Sequence, residues 1–268
     1  MRPLKKLMDL SGRSALVTGG AGHVGLAVGE ALLELGAQLA LLDLDEQSCQ
    51  QRVTQLKRRY PRARILSLPC DLTLESDIRL AVRQCAERLK GLDILIHCAA
   101  YVGTTKLDGW SVSFDRQTVK AWDAALRVNL TAAFVLLQEA RDALESSGRG
   151  SAIFIASTYG LVGPDMRLYE GTSMDNPAGY GASKGGLLQL TRHLATLLAP
   201  KVRVNAITPG GIWRNQPKTF QKRYVERTPL RRMASEEDLK GAIAYLASDL
   251  SAYVTGHNLV VDGGWTVW

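Results

Sequence analysis

The chain has no run long and apolar enough to span a bilayer, and its N-terminus, basic at Arg2, Lys5 and Lys6, lacks the apolar stretch of a secretory signal. A cytoplasmic protein with no membrane partner is expected. Cysteine is sparse. Cys49, Cys70, Cys85 and Cys98 form neither a C-x-x-C pair nor a ligand cluster, which argues against a disulfide framework or a zinc module and leaves free thiols. No metal site is expected. There is no basic tail and no stacked aromatic pattern, so no nucleic-acid partner is expected. No internal repeat, low-complexity segment or linker divides the sequence. Its 268 residues therefore read as a single domain, 1–268, able to bury a sizeable core.

What is present is ordinary in bulk and patterned in detail. Hydrophobic residues make up 46% and charged residues 22%, as in most globular proteins. Much of the net charge of +7 is local, in Arg52, Lys57, Arg58, Arg59, Arg62 and Arg64. That cluster is either a solvated helix face with the turn after it or a surface that attracts anions.

Short apolar runs alternate with helical periodicity. Ser14–Thr18 reads as a buried strand, followed by Gly19-Gly20-Ala21-Gly22-His23-Val24-Gly25 and a helix from about Leu26 to Leu35, capped by Gly36. Strand, glycine-rich turn and helix start together form a phosphate site: the glycines allow close approach and the helix dipole favours negative charge. Further strands are expected at 38–42, 63–68, 93–97, 150–156, 202–207 and 258–261, with helices over 75–89 and 121–144. This alternation predicts an α/β fold of Rossmann type, a doubly wound, seven-stranded parallel sheet with helices on both faces. Ligands in such folds sit at the carboxyl ends of the strands.

Asp43 ends the second strand, roughly 20 residues past the glycines, where a carboxylate accepts from an adenosine ribose and repels a 2′-phosphate. No Arg or Lys lies in the glycine turn or directly after Asp43, so NAD is expected in preference to NADP. The alternative is that Asp43 or Asp45 caps the next helix. Asp71, after the third strand, is a helix cap, an adenine contact or both. Ala99 and Ala100, after the fourth strand, are small enough for a cofactor to lie against.

A long helix is expected from Ala178 to Ala199, stopped by Pro200. Tyr180 and Lys184 are four apart, on one helix face. A free tyrosine, with a pKa of about 10, is a poor base at neutral pH. A fixed ammonium favours the phenolate, so a Tyr-x-x-x-Lys pair can make a general acid/base. Taken alone, the spacing also suits an aromatic and a lysine that merely share a face.

Together these features resemble the short-chain dehydrogenase/reductase family along nearly the whole chain. The residues that carry the resemblance are Thr18-Gly19 with Gly25, Asp71-Leu72, Val128-Asn129-Leu130 and Ser157-Thr158-Tyr159-Gly160. Tyr180-Gly181-Ala182-Ser183-Lys184, Val204-Asn205 with Pro209-Gly210, and Val261-Asp262-Gly263-Gly264 continue it. The resemblance implies an NAD(P)-dependent oxidoreductase acting on CH–OH groups. It implies a catalytic set of Ser157, Tyr180 and Lys184 with Asn129 as fourth member. Tyr180 exchanges the proton, Lys184 lowers its pKa and holds the nicotinamide ribose, Ser157 steadies the substrate oxygen, and Asn129 holds a water linking Lys184 to solvent. The implied cofactor contacts are Gly19, Gly22, His23, Val24, Gly25, Asp43, Leu44, Asp71, Leu72, Ala99, Ala100, Tyr180, Lys184, Pro209, Gly210 and Ile212. A homodimer or homotetramer built on the helices holding Asn129 and Tyr180 is also implied.

The chain departs from the family pattern in two places. The short branch usually reads Thr-Gly-x-x-x-Gly-x-Gly, whereas Thr18-Gly19-x-x-Gly22-x-x-Gly25 resembles the longer branch of NAD-retaining sugar epimerases and dehydratases. The chain ends soon after the seventh strand, which favours the short branch. An epimerase or dehydratase, and a cofactor binder with little turnover, stay as alternatives. His23 is either a phosphate partner or a solvated turn residue. His97-Cys98-Ala99-Ala100 replaces the usual Asn-Asn-Ala-Gly.

Substrate-loop segments are expected near 158–177 and 211–232. The segment 164–177 is longer than is usual, and a polar loop beside the catalytic pair suits substrate reading. Tyr159, Tyr169, Trp213, Asn215 and Gln216 are candidate substrate contacts, with Phe220 and Tyr224 as pocket wall. Their polarity predicts a polyhydroxylated substrate, neutral or anionic. The long loop and the Gly-Gly-Ile-Trp-Arg-Asn-Gln run are similar to a bacterial subgroup associated with surface-sugar and flagellin modification.

Overall fold

A computed structural model describes residues 1–268. The strands are β1 (Ser14–Thr18), β2 (Gln38–Asp43), β3 (Ile65–Pro69), β4 (Ile94–His97), β5 (Gly150–Ile155), β6 (Val202–Pro209) and β7 (Asn258–Val261). They form one seven-stranded sheet in the order β3-β2-β1-β4-β5-β6-β7, parallel throughout. The helices are α1 (Leu4–Met8), α2 (His23–Glu34), α3 (Glu46–Arg59), α4 (Glu75–Leu89), α5 (Val119–Leu126), α6 (Ala132–Ser146), α7 (Ala178–Leu198), α8 (Lys218–Arg227) and α9 (Lys240–Ala247). The expected doubly wound architecture is present.

Because both sheet faces are covered, the strands are apolar at nearly every position and divide their side chains by alternation. Ala15, Val17, Ile94, Ile96, Ile153 and Ile155 pack on one face with α2, α3 and α9. Leu16, Leu95, Ala152 and Phe154 pack on the other with α4, α6 and α7. The strand order reverses between β1 and β4, where the chain turns first to one side of the sheet and then to the other. There the helices diverge and open a crevice at the strand ends. Thr18 and His97 are register partners at this point.

Two helices differ from expectation in ways that matter to the site. α2 begins at His23 rather than Leu26, because the Leu26 amide already donates to the Gly22 carbonyl and the glycine turn itself supplies the N-cap. The stretch 121–144 is not one helix. A π-turn over Arg127–Thr131 separates α5 from α6. It winds one extra residue into the turn that holds Asn129, a distortion that recurs at functional sites.

Leu136 is fully buried in the cluster under α4, α6 and α7, whereas Leu80 on α4 is half exposed. Leu136→Ala is expected to destabilise the protein by ~2–5 kcal/mol and Leu80→Ala by under ~0.5 kcal/mol in urea unfolding. Similar values for the two would contradict the placement of the core.

Candidate active site

The glycine turn is built by contacts that no side chain would permit. A Cβ on Gly25 would lie 2.1 Å from the Gly19 carbonyl oxygen, and one on Gly19 would lie 2.8 Å from the Ala99 amide nitrogen. Gly19 also sits at φ 68°, a left-handed conformation that favours glycine. Neither a capping side chain nor an acidic residue occupies the first turn of α2. The amides of that turn, which lack helical partners, are therefore left to an external acceptor. This fits a dinucleotide pyrophosphate. His23 contributes its position at the helix start; its ring is largely exposed, 3.9 Å from Glu236 Oε1.

At the end of β2, Asp43 accepts the Ala21 amide on Oδ2 and the Leu44 amide on Oδ1, both at 2.9 Å. Each oxygen keeps a lone pair for a ribose hydroxyl. The capping alternative divides cleanly: Asp45, not Asp43, caps α3, accepting the Ser48 amide. Asp71 caps no helix. It makes a local turn with the Thr73 amide and hydroxyl, and α4 starts after Leu74. Leu44 is exposed and Leu72 buried. The sequence reading missed Arg52. It reaches back from α3 and donates from Nε to the Ala21 carbonyl at 3.2 Å, so Asp43 and Arg52 grip opposite sides of one turn residue. Its place on the first turns of α3, a helix that packs beside β2, was the available signal. The neighbouring basic residues Lys57, Arg58 and Arg59 lie in the last turn of α3, where they oppose the negative end of its dipole.

The β1 and β4 ends are tied through Thr18. Its hydroxyl accepts from the Cys98 and Ala99 amides at 3.2 and 3.3 Å and meets His97 Nδ1 at 2.8 Å. With two donors already arriving, the Thr18 proton goes to Nδ1, so the ring proton belongs on Nε2. Burial and the nearby Lys184 push the His97 pKa down to about 3, while the Val128 and Asn129 carbonyls oppose this. The imidazole is neutral and takes the place of the family's first asparagine. Cys98 is likewise held as a thiol, its pKa pushed up to about 12 by burial and only partly lowered by Lys184.

Ser157 follows β5, and Tyr180 and Lys184 lie in the first two turns of α7. Burial raises the Tyr180 phenol, and a hydrogen bond with Ser157 opposes the rise. Lys184 is buried. Its Nζ donates to the Ile155 carbonyl at 2.7 Å and lies 5.9 Å from the centre of the Tyr180 ring. In this arrangement the ammonium is turned to the sheet. Burial brings the Lys184 pKa down to about 8. Asn129 is fully buried beside this pair. Its Nδ2 donates to the Tyr101 carbonyl and to Ser183 Oγ, and its Oδ1 accepts the Tyr101 amide at 2.7 Å. Both its N–H groups bond protein, so the side chain braces the segment after β4 against α7.

These groups face a cavity of about 590 Å³. Val24, Cys98, Ala100, Pro209, Gly210 and Ile212 line one part of it, Ser157, Tyr180 and Lys184 the centre, and Tyr159, Tyr169, Asn215 and Gln216 the outer wall. Gln216 is occupied in bracing its own loop, accepting the Arg214 amide and donating to the Ile212 carbonyl. Trp213 is not among the residues that line the cavity. Ile212 pairs with Ala234 in a short parallel bridge, and alternation sends the next side chain outward, leaving Trp213 46% exposed. Phe220 and Tyr224 form wall and core at once, in an aromatic cluster with Leu168, Tyr169, Met233 and Trp265.

Residues 19–266 match the family model described as enoyl-(acyl carrier protein) reductase. The chain is 28% identical to the sorbose reductase of Schizosaccharomyces pombe, over 98% of this chain and 99% of that protein. A short-chain dehydrogenase from Leptospira borgpetersenii with bound NAD+ superimposes with a TM-score of 0.84 at 31% identity, over 99% of this chain and 96% of that one. A gluconate 5-dehydrogenase from Burkholderia cenocepacia, in complex with NADP and tartrate, superimposes with a TM-score of 0.87 at 25% identity, over 99% and 100% of the two chains.

The depressed Lys184 pKa makes a stability prediction. The unfolded lysine, near 10.5, binds its proton more tightly than the folded one, near 8. Below pH 8 the buried charge costs the fold on the order of 3 kcal/mol, and that cost disappears as pH rises from 8 to 10.5. Lys184→Met is therefore expected to be more stable than the parent at pH 7, with the gap closing by pH 10.5. Urea midpoints across that range check it, and a gap independent of pH would count against it.

Proposed function

Since the chain belongs to the short-chain dehydrogenase/reductase family, we propose that it interconverts a secondary alcohol and a ketone on a polar, sugar-like substrate, using NAD in preference to NADP. The observation that carries this is the convergence of Ser157, Tyr180 and Lys184 on the cavity that the glycine turn also reaches. The family relation and the named relatives support an NAD(P)-dependent oxidoreductase acting on CH–OH groups. The narrower likeness to the surface-sugar and flagellin-modification subgroup suits the same substrate class.

Bound NAD would supply the hydride acceptor in one direction, and NADH the hydride in the other. Tyr180 takes the hydroxyl proton on oxidation and returns it to the carbonyl oxygen on reduction. Burial keeps the phenol protonated, which suits the reductive direction; for oxidation its proton must first leave. Ser157 donates to the substrate oxygen as negative charge builds there. Lys184 would hold the nicotinamide ribose. Asn129 acts as a brace for the Tyr101 segment.

The preference for NAD rests on Asp43, whose carboxylate favours a free 2′-hydroxyl over a phosphate. Arg52 opposes it by bringing a positive charge to the same turn. NAD is expected to bind at least about tenfold more tightly than NADP, with Arg52→Ala widening the ratio and Asp43→Ala closing it, as read from cofactor fluorescence. Equal affinity for the two cofactors would reject the preference.

The purified protein, given NAD and a panel of polyols, ketoses and secondary alcohols, is expected to produce NADH. Tyr180→Phe should lower kcat by at least about a thousandfold, and Ser157→Ala by about a hundredfold, without shifting Tm by more than a few degrees. The glycine spacing favours one second reading, an epimerase or dehydratase that keeps its NAD; substrate loss without net NADH, and cofactor carried through purification, would establish it instead. Half-exposed Trp122 and Phe134 and the more exposed Leu197 on α5, α6 and α7 support a homodimer or homotetramer built on those helices. The absence of a helix long and apolar enough to cross a membrane is compatible with the proposed cytoplasmic location.

A further inference from the structure

The outer wall of the cavity contains a chain of three hydrogen-bonding groups. Asn176 Nδ2 donates to the Tyr169 hydroxyl at 3.0 Å, and the Tyr169 and Tyr159 hydroxyls lie 2.8 Å apart. All three residues line the cavity. Asn176 Nδ2 can only donate, and the two phenols share one of their two protons. Exactly one O–H donor is therefore left over, whichever tyrosine carries it. The pair cannot swing out to water. Tyr159 is mostly buried and meets Trp265 edge-on at 6.0 Å, and Tyr169 leans on Phe220 at 5.4 Å. Burial raises both phenols far above neutral pH, so both keep their protons. A fixed donor with no protein acceptor, in a cavity shared with Tyr180, is placed to meet an oxygen of the substrate.

The charges in the cavity say what kind of oxygen. Its charged lining residues are Asp175, Lys184 and Arg214. Lys184 donates to the Ile155 carbonyl, and Arg214 is paired with Glu236 at 3.1 Å. No unpaired cation other than the lysine beside Tyr180 faces the substrate, and Asp175 is close by. A carboxylate or phosphate entering this space would have to draw Arg214 from Glu236 or share Lys184 with the groups beside it, which disfavours an anion relative to a neutral oxygen.

We propose that the Tyr159–Tyr169 pair reads a second, uncharged oxygen of the substrate, so that the enzyme takes neutral polyols and their ketoses in preference to simple secondary alcohols, sugar acids and sugar phosphates. The proposal rests on the alcohol–ketone reading above and narrows the substrate class to the uncharged half of what the sequence allows.

The test compares kcat/KM for xylitol, D-sorbitol, cyclohexanol, gluconate and a sugar phosphate in the parent, Tyr159→Phe, Tyr169→Phe and the double variant, with Tyr180→Phe as control. The parent should favour a neutral polyol over cyclohexanol and over both anions. The double variant should lose about tenfold on the polyol and less than about threefold on cyclohexanol, and each single variant, which keeps one phenol and so one O–H donor, should lose less than the double. A merely structural role would lower both substrates together and lower Tm. A parallel fall on polyol and cyclohexanol, no change on either, or a preference for an anion would overturn the proposal while Tyr180-dependent alcohol oxidation still stood. Absence of Tyr180-dependent oxidation on every alcohol would overturn the alcohol–ketone reading itself, and this proposal with it.

Discussion

Thr18 carries one hydroxyl, and three groups of the neighbouring strand end converge on it: the amides of Cys98 and Ala99 and the His97 ring. This knot closes the crevice floor where the sheet changes direction. It holds Ala99 close enough to Gly19 that only glycine fits there. It fixes the His97 tautomer, and the ring beyond it lies beside the carbonyls of the π-turn that presents Asn129. Asn129 in turn clamps Tyr101 and Ser183, one residue before Lys184. Buried hydrogen bonds thus tie the glycine-turn strand to the segment after β4 through Thr18, and that segment to α7 through Asn129.

The Thr18 knot also explains why a histidine can stand where asparagine is usual. Neutral imidazole, with one acceptor and one donor nitrogen, offers an acceptor to Thr18, while its Nε2 is buried without a hydrogen-bond partner. Burial keeps it in that state at physiological pH. The substitution changes the partners of the crossover without adding charge beside Lys184.

Much of the fold was legible because both-faced burial makes strands apolar at almost every position, and glycine, proline and polar residues mark their ends. The Tyr180/Lys184 spacing placed both residues on one face of α7, as the structure has them. What sequence patterning misses is where side chains turn once placed. Arg52 is one turn of a helix away from being ordinary surface, yet it bonds Ala21. Asn129 reads as one polar residue in an apolar helix, because a π-turn leaves no mark on apolar periodicity at that length. Trp213 reads as a wall of the pocket, but a single bridge between Ile212 and Ala234 sets the alternation that sends it outward. Each of these depends on a tertiary contact with a residue far away in the chain.

The long loop before Tyr180 is fastened less to the sheet than to α8. Asp165 is bonded to Arg227 at 2.6 Å, the Glu170 carbonyl accepts from Arg223 at 2.6 Å, and Leu168 and Tyr169 pack against Phe220 and Tyr224. Loop and helix therefore form one cassette built from two segments distant in sequence. A graft of the loop alone into a related scaffold would arrive without its fastenings, whereas loop and α8 moved as a pair would carry their own geometry with them. Divergence in substrate choice along this branch of the fold would then proceed by paired change on both sides of Tyr180, not by drift of either segment alone.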